Sequence, residues 1–469
     1  MVRLKVYWVA ALLWWIPAML SAQSFPRSAV LDAALYDRLP QKAVQLSRVY
    51  EALPQAASLK QYAPQPGDQG NYGTCTAWSS VYAARTILES VALNRRDPLA
   101  NTANVFSPNF VYKNMFVYNN QPDDPAGQRG APVAWALSFM RDKGPVKMLD
   151  IEKRTPFPRI SLSVFTNSRT YPIAEYATLF RSNTRDPGVK VQGVKKSIAE
   201  SKPVIIAMNC PPSFNRARDV WRPPEDSGTN YGGHALCIIG YDDTKYNGAF
   251  EIQNSWGESW GNRGFIWIPY DVFADFVREA YSISENLGNY QPALIYSGFA
   301  DIEMPGGSSM AVTFQQGYYQ TASPYGSGTR FRYLLGNREA AYVYAFAADE
   351  SGAAPTQIFP PPGSAVSPYL DYSENLIPFP GEFSWIQLDH TAGTDYLVVL
   401  YSKRELNIAG IRNRFSQEPG SLSDRVARAA GPDYIPPAQV QYEPDRLAFT
   451  AVSANPNAVF GLLLVIPHQ

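Results

Sequence analysis

The stretch that decides the fold reads GDQGNYGTCTAWSS, at residues 67–80. A loop rich in glycine and proline leads into it, and apolar residues at helical spacing follow it. This pattern predicts a helix over about residues 76–94, with Thr74 as its N-cap. Cys75 would then lie in the first turn, where unpaired N–H groups and the helix dipole stabilise an anion. A thiolate there is a good nucleophile, although a lone buried cysteine is more often structural.

Two further residues have the chemistry that would activate such a thiol. His234 begins an apolar strand and follows two glycines, which allow another backbone to approach closely. Asn254, in the segment QNSWGESWGNRGF, can orient an imidazole ring. Trp256 and Trp260 in the same segment would shield that contact from water. A histidine with a purely structural role and a tight turn with tryptophans in the core would show the same sequence pattern.

Gln69 lies six positions before Cys75. Its side-chain amide could donate to a developing oxyanion, beside the backbone N–H of Cys75. Each of these residues also has an ordinary structural interpretation when it is taken alone. In the order Gln, Cys, His, Asn they form a specific set, which indicates covalent catalysis by a thiolate with a histidine base.

These motifs resemble the papain family of cysteine peptidases, over about residues 53–283. The matching pieces are Gln69-Gly70, Gly73-Thr74-Cys75, Ala77-Trp78-Ser79, His234-Ala235, Gly240-Tyr241, Asn254-Ser255-Trp256-Gly257, Trp260-Gly261 and Gly264-Phe265-Ile266. The resemblance implies an α+β fold of two lobes, with the cysteine helix in one lobe and the histidine and asparagine strands in the other. It also implies a thiol endopeptidase that hydrolyses peptide bonds and needs no cofactor. The family usually has tryptophan directly after the nucleophile, where this chain has Thr76.

The resemblance extends to the substrate side of the site. Gly130, in GQRGAPVAWAL, resembles the family's glycine that hydrogen-bonds an extended peptide. Ala131 and Pro132 would then line the pocket for the second residue before the cut, and Ala207 and Ala235 would form its other wall. Because these residues are small and apolar, we expect a bulky apolar substrate side chain there. A loop glycine and ordinary core alanines would look the same in the sequence.

The N-terminus has the pattern of an export signal. A short basic region precedes an apolar run at residues 6–20, and small residues follow. This order predicts a secretory signal peptide over residues 1–22, because the run is short for a membrane anchor. We therefore expect an exported bacterial protein in the periplasm, at the cell surface or outside the cell, without stable membrane insertion after signal removal. Residues 23–52 carry a helical apolar pattern and are predicted to be a short pro-segment or tether.

The rest of the chain divides into two large units. Residues 53–283 hold all the motifs above, and the helix-like stretch VFADFVREAY, at 272–281, would close this peptidase domain. A connector is predicted at 284–300. Residues 301–469 have short alternating segments typical of a smaller, mainly antiparallel β domain. Parts of that region resemble a bacterial β-rich domain of unknown function. It could bind an unknown surface or protein partner, or be a passive extension.

Composition excludes several classes of function. Lys+Arg and Asp+Glu are equal at 41 each, so net charge gives no reason to expect nucleic-acid binding. Three cysteines are too few for a disulfide scaffold and leave open a bridge between Cys210 and Cys237. The sequence shows no metal-ligand spacing.

Two alternatives to a peptidase stay open. The first is a catalytically silent binding protein with the same fold, but such a protein would lack one of the four key residues, and all are present. The second is a thiol amidase acting on cell-wall peptides. The NSWG segment and the six-residue spacing from Gln69 to Cys75 disfavour it. On the peptidase interpretation the partner is a peptide or protein substrate.

Overall fold

The computed structural model describes residues 26–151, 169–286, 288, 294–350 and 353–469. The predicted signal peptide lies outside these residues. The described chain forms two domains that contact each other, and an N-terminal segment, residues 26–48, touches both of them; we call this segment the strap. Within the described ranges, no helix is both long and apolar enough to cross a membrane.

The first domain has a helical lobe that contains the predicted nucleophile. The helices of the strap and of this domain are α1 (Ala33–Tyr36), α2 (Ser47–Glu51), α3 (Cys75–Ala77), α4 (Thr86–Ala92), α5 (Pro98–Ala103), α6 (Pro108–Tyr118), α7 (Val133–Asp142), α8 (Met148–Ile151), α9 (Pro187–Ala199) and α10 (Tyr270–Phe276). A π-helical segment, Trp78–Arg85, joins α3 to α4, so the predicted helix is present. Thr74 is the N-cap residue of α3, as predicted, but its buried hydroxyl makes no capping hydrogen bond.

The second lobe of this domain is an antiparallel sheet. Its strands are β1 (Ala56–Ser58), β2 (Glu175–Thr178), β3 (Val204–Asn209), β4 (Gly233–Asp242), β5 (Ala249–Gln253), β6 (Phe265–Pro269) and β7 (Val277–Ser284). The order is β2-β7-β3-β4-β5-β6, and β1 pairs with β4. All residues of β3 are buried, so neither face of the strand meets water. This explains why the run PVIIAMNC, at residues 203–210, has no polar face. The stretch 272–281 is only partly helical: α10 ends at Phe276 and β7 begins at once.

The second domain is a two-sheet β structure. Its strands are β8 (Leu294–Glu303), β9 (Val312–Gln315), β10 (Tyr318–Thr321), β11 (Arg330–Asn337), β12 (Ala341–Asp349), β13 (Thr356–Phe359), β14 (Tyr369–Leu370), β15 (Ile377–Phe379), β16 (Ile386–Gln387), β17 (Gly393–Ser402), β18 (Gln441–Tyr442), β19 (Ala448–Ser453) and β20 (Val459–His468). One sheet has the order β13-β12-β17-β20-β10-β9 and the other β15-β11-β8-β19-β18. β8 begins inside the predicted connector, at Leu294.

Two helices that the sequence analysis did not predict cover the first of these sheets. They are α11 (Ile408–Gln417) and α12 (Leu422–Ala430). Their apolar residues Phe415 and Val426 pack with Phe346 of β12 and Val398 of β17 in a separate buried cluster. A second cluster fills the space between the two sheets. The domain is therefore mainly antiparallel β, as predicted, with a helical layer added outside.

The strap is mostly extended rather than helical, which corrects the expectation for residues 23–52. Helix α1 is a single turn, and the side chain of Tyr36 is completely buried against β7, where its hydroxyl bonds Ala280. Residues 40–42 then pair with Thr178 of β2. The apolar periodicity of this segment therefore reflects burial on two different surfaces and not a helix face.

Candidate active site

Cys75 lies at the start of α3, completely buried between the two lobes. Burial alone would raise the pKa of its thiol, but a hydrogen bond and the charge of His234, with a smaller contribution from Ser28, lower it to about 7. The pKa values of the other two cysteines are shifted in the opposite direction. Burial raises the pKa of Cys210 to about 12 and that of Cys237 still further. All three thiols are free, so Cys210 and Cys237 form no bridge.

His234 is held by an amide on one side and faces the thiol on the other. Its Nε2 lies 2.9 Å from Oδ1 of Asn254, and the same oxygen accepts the backbone N–H of Ser255 at 2.8 Å. An amide oxygen carries no hydrogen and can only accept hydrogen bonds, so Nε2 of the ring carries the hydrogen and donates it to Asn254. Among the described residues, Nδ1 has no other hydrogen-bond partner and is left for Cys75.

Two tryptophans lie over this contact. The indole of Trp256 stacks on the imidazole of His234, with ring centroids 4.5 Å apart and planes 24° apart. Trp260 packs edge-on against Trp256 at 5.4 Å. Both indoles are almost completely buried. They keep water from the bond between His234 and Asn254, which makes that bond stronger and the ring orientation more fixed.

Gln69 is buried beside Ser255, the neighbour of Asn254, and the orientation of its amide is fixed at both ends. Its Oε1 accepts a hydrogen bond from the Ser255 hydroxyl at 2.7 Å, while Nε2 donates to the carbonyl of Tyr72 at 2.8 Å. An amide nitrogen has two hydrogens, so one remains for a ligand. Ser255 contacts both Gln69 and Asn254. The sequence analysis quoted it only as part of a motif, and it is a positioning residue that was missed.

The strap passes through the cleft between the lobes. The backbone N–H of Ala29 donates to Gly233, and that of Val30 donates to Ala131. The carbonyl of Ser28 accepts the N–H of Ala131, and the Ser28 hydroxyl lies 3.2 Å from the Cys75 sulfur. Residues 28–30 therefore occupy the position that an extended peptide would take beside the thiol.

Glycines make this close passage possible. A Cβ added to Gly130 would lie 2.1 Å from the carbonyl oxygen of Ser28, and one added to Gly233 would lie 2.1 Å from that of Ala29. Either distance is far below a van der Waals contact, so any side chain would push the strap out. In this structure Ala131 makes the two backbone hydrogen bonds to the strap, whereas Gly130, the residue expected to hydrogen-bond a substrate, only approaches it closely.

The remaining predicted pocket residues lie around the same cleft. Ala207 on β3 and Ala235 on β4 are directly opposite each other in the sheet, and both are completely buried. Pro132 precedes α7 on the opposite lobe. The described residues contain no cluster of His, Cys, Asp and Glu that could hold a metal ion.

A buried thiol with a lowered pKa, paired with an oriented imidazole and flanked by an amide donor, defines the class of thiol hydrolases. Residues 57–282 match the sequence model of the family described as papain family cysteine protease. The predicted resemblance to the papain family is therefore confirmed for this part of the chain, and so is the α+β fold class.

Individual relatives agree with the family match. A peptidase C1-like protein of Acanthamoeba polyphaga mimivirus is 25% identical over 219 residues, which cover 44% of this chain and 65% of the relative. Cathepsin K of Gallus gallus is 30% identical over 219 residues, 45% of this chain and 57% of the relative. The aligned part of the chain thus spans less than two thirds of either relative.

Solved structures also cover this domain. Xylellain, a cysteine protease from Xylella fastidiosa, is similar over 55% of this chain and 96% of its own, with 22% identity and a TM-score of 0.45. The family match supports a cysteine-type peptidase for residues 57–282. The resemblance of the second domain to a bacterial family of unknown function stays a prediction.

Proposed function

We propose that this protein is an exported thiol endopeptidase that hydrolyses peptide bonds with Cys75 as nucleophile and His234 as base. The observation that carries the proposal is the contrast among the three buried thiols. Only Cys75, the one beside His234, has a lowered pKa. At neutral pH a substantial fraction of this thiol is therefore thiolate, which is the reactive form.

The steps follow from the contacts of the site. The thiolate of Cys75 attacks the scissile carbonyl carbon, a C–S bond forms, and the electron pair moves to the carbonyl oxygen. The free N–H of Gln69 and the backbone N–H of Cys75 stabilise that oxyanion. His234, protonated, gives its proton to the departing amine as the C–N bond breaks. Water then attacks the thioester with His234 as base, and the carboxylic acid and the thiolate are released.

The strap is proposed to keep this site closed in the intact chain. Its residues 28–30 already use the hydrogen-bonding groups of Ala131 and Gly233 that a substrate backbone needs. Peptide and strap cannot occupy them together. Hydrolysis therefore requires residues 26–32 of the strap to leave the cleft, either because the strap swings away or because it is cleaved.

The second half of the strap is proposed to be a tether. Gln41 exchanges hydrogen bonds with Ala365 and Ser367 of the β domain, and the N–H of Leu46 donates to Leu376. The ammonium of Lys42 pairs with the completely buried carboxylate of Asp371. These contacts are independent of the cleft, so residues 40–48 can stay bound after residues 26–32 have left.

Export and substrate binding complete the proposal. The N-terminal pattern supports export to the periplasm, the cell surface or the medium, with a peptide or protein as substrate. Binding of a further surface or protein by the β domain stays a hypothesis. A pull-down with the purified Cys75→Ala chain, which would bind substrate in the cleft without cutting it, is a direct way to identify the substrate.

The test of the enzymatic activity uses the thiols themselves. The purified protein is incubated under reducing conditions with a peptide library and with an epoxide that alkylates active thiols, and the cuts and the labelled residue are identified by mass spectrometry. We expect label on Cys75, no cleavage by Cys75→Ala, and wild-type cleavage by the matched control Cys237→Ala. Cleavage that survives in Cys75→Ala would refute the assignment. Tight peptide binding by the wild-type protein without any turnover would favour the silent binding protein instead.

A further inference from the structure

The side chain of Arg27 in the strap fills a second pocket of the cleft, which the proposed mechanism does not use. Its Nη2 donates to Oδ1 of Asn215 at 2.8 Å and to the carbonyl oxygen of Pro211 at 3.5 Å. The start of the side chain lies beside Gly232, where an added Cβ would be 3.8 Å from the Cβ of Arg27. None of these residues belongs to the thiol site or to the pocket for the second residue before the cut.

The course of the strap places this pocket on the far side of the thiol. The hydroxyl of Ser28 lies 3.2 Å from the Cys75 sulfur. Beyond Ser28, residues 29–30 bond Gly233 and Ala131, where the substrate residues before the cut are expected. Arg27 precedes Ser28 and therefore lies on the other side of the sulfur, where the part of the substrate after the cut belongs.

Aromatic packing places the same pocket next to the proposed base. Phe214 lies between Pro211 and Asn215 in the chain, and its ring is 6.1 Å from that of His234 and 5.6 Å from that of Trp256, measured between centroids. His234 gives its proton to the departing amine, which belongs to the first residue after the cut. The side chain of that residue therefore enters this pocket. The strap then runs opposite to a substrate, so only the location of its side chain is comparable.

Glu225, in the loop before β4, adds a carboxylate to this pocket. Its Oε1 accepts the backbone N–H of Ser213 at 3.0 Å. Burial raises the pKa of the Cys210 thiol to about 12, and the charges of Arg27 and Glu225 also shift it, Arg27 downward and Glu225 upward. Both charged groups therefore lie near the same thiol. With the oxygens of Asn215 and Pro211, the carboxylate forms a set of acceptors, which complements a guanidinium because that group only donates.

The strap satisfies this pocket only in part. Nε of Arg27 is buried, and so is Oε2 of Glu225, and neither atom has a hydrogen-bond partner among the described residues. A donor and an acceptor that stay unpaired in one pocket cost free energy. The backbone of Arg27 is fixed by the hydrogen bonds of residues 28–30. A substrate arginine enters on a different backbone path and can direct its guanidinium at Asn215 and Glu225 together.

We propose that the pocket of Pro211, Asn215 and Glu225 selects an arginine side chain at the first residue after the cut, which deepens the proposed peptidase function and rests on it. The substrate arginine takes the place of Arg27 when the strap leaves. Its planar guanidinium makes a charge-assisted hydrogen bond to the carboxylate of Glu225 and a second bond to the amide oxygen of Asn215.

The test compares two internally quenched peptides that differ only at that residue, which is arginine or citrulline. Citrulline has nearly the shape of arginine but no charge. The protein is the full chain without residues 1–22, and rates are normalised to the amount of Cys75 that an epoxide titrates. Mass spectrometry of the products restricts the comparison to cuts directly before the varied residue.

The test variant is Glu225→Gln, which removes the charge and keeps an oxygen for the Ser213 N–H. The matched control is Glu251→Gln, because Glu251 is a buried carboxylate on β5 that pairs with Lys60 outside the cleft. Titration of Cys75 by the epoxide also shows that each variant is folded.

We expect wild type and Glu251→Gln to cleave the arginine peptide with a kcat/KM about 10-fold or more above that of the citrulline peptide, and Glu225→Gln to reduce this ratio by about 10-fold. An unchanged ratio in Glu225→Gln would overturn the inference, as would a wild-type protein that cleaves both peptides equally well. In both of those cases Cys75-dependent cleavage leaves the peptidase function intact. Absence of all cleavage would overturn the proposed function and this inference together.

Discussion

Replacement of Ala29 by proline should open the cleft without touching a catalytic residue. Proline has no N–H, so the 2.9 Å hydrogen bond from residue 29 to Gly233 is lost, and the ring occupies the space of the missing hydrogen. A protein hydrogen bond contributes about 1 kcal/mol net. Since about 1.4 kcal/mol corresponds to a factor of ten, the open fraction should rise about 5-fold or more.

The assay is the rate at which a soluble alkylating reagent modifies Cys75. The thiol is completely buried under the strap, so modification has to pass through an open state. When the strap closes again faster than the reagent reacts, the rate follows the open fraction directly. We expect faster modification of Ala29→Pro and a matching rise in peptide hydrolysis.

A second proline provides the control. Ala33 is the first residue of α1, with Asp32 as its N-cap, and proline is well tolerated at that position. In Ala33→Pro, the reagent should therefore modify Cys75 at the wild-type rate. If Ala29→Pro were no faster than wild type, or if Ala33→Pro were equally fast, the strap would not be the element that closes the site.

Further predictions concern the catalytic set and the tether. Gln69→Ala should lower kcat/KM by about 10²-fold, the usual effect of losing one oxyanion donor, and wild-type rates would remove Gln69 from the site. Asn254→Ala should lower kcat/KM less than His234→Ala does, because Asn254 only orients the imidazole ring. Steady-state kinetics of the two variants test this. The pKa of Cys75 is lowered to about 7, so its thiolate is present above about pH 7 and is lost as the pH falls. The rate of Cys75 alkylation in Ala29→Pro should therefore decrease about tenfold for each pH unit below 7. A rate that did not change with pH would contradict the coupling of Cys75 to His234. Asp371→Asn removes the carboxylate that pairs with the buried Lys42 ammonium. The free energy of unfolding, measured with denaturant, should fall by about 3 kcal/mol. An unchanged free energy of unfolding would show that this ion pair of the tether does not stabilise the protein.

The proposed catalytic residues could be singled out in the sequence because their signals are local. Gln69 and Cys75 flank one loop, and the residues around His234 and Asn254 identify two neighbouring strands. Helices α11 and α12 also had local signals that were overlooked. Asn407 and Ser421 cap their first turns with side-chain hydrogen bonds, and both residue types are common N-caps.

The conformation of the strap and the strand β7 could not be predicted in this way. The conformation of the strap depends on partners such as Gly233 and Asp371, far away in the sequence, and these override its weak helical pattern. The stretch 272–281 has helical periodicity, but pairing with β3 turns its second half into a strand.

The position of the tether has a consequence for the order of folding. The segment around Gln41 is made early, but the residues that hold it, Ala365 and Ser367, are more than three hundred residues further along the chain. Contacts of such long range form late, because a long loop has to close first. All strands of the peptidase lobe precede them in the sequence. The catalytic cleft should therefore assemble before the tether is fastened, and completion of the last domain should act as the step that anchors the strap of a newly made molecule.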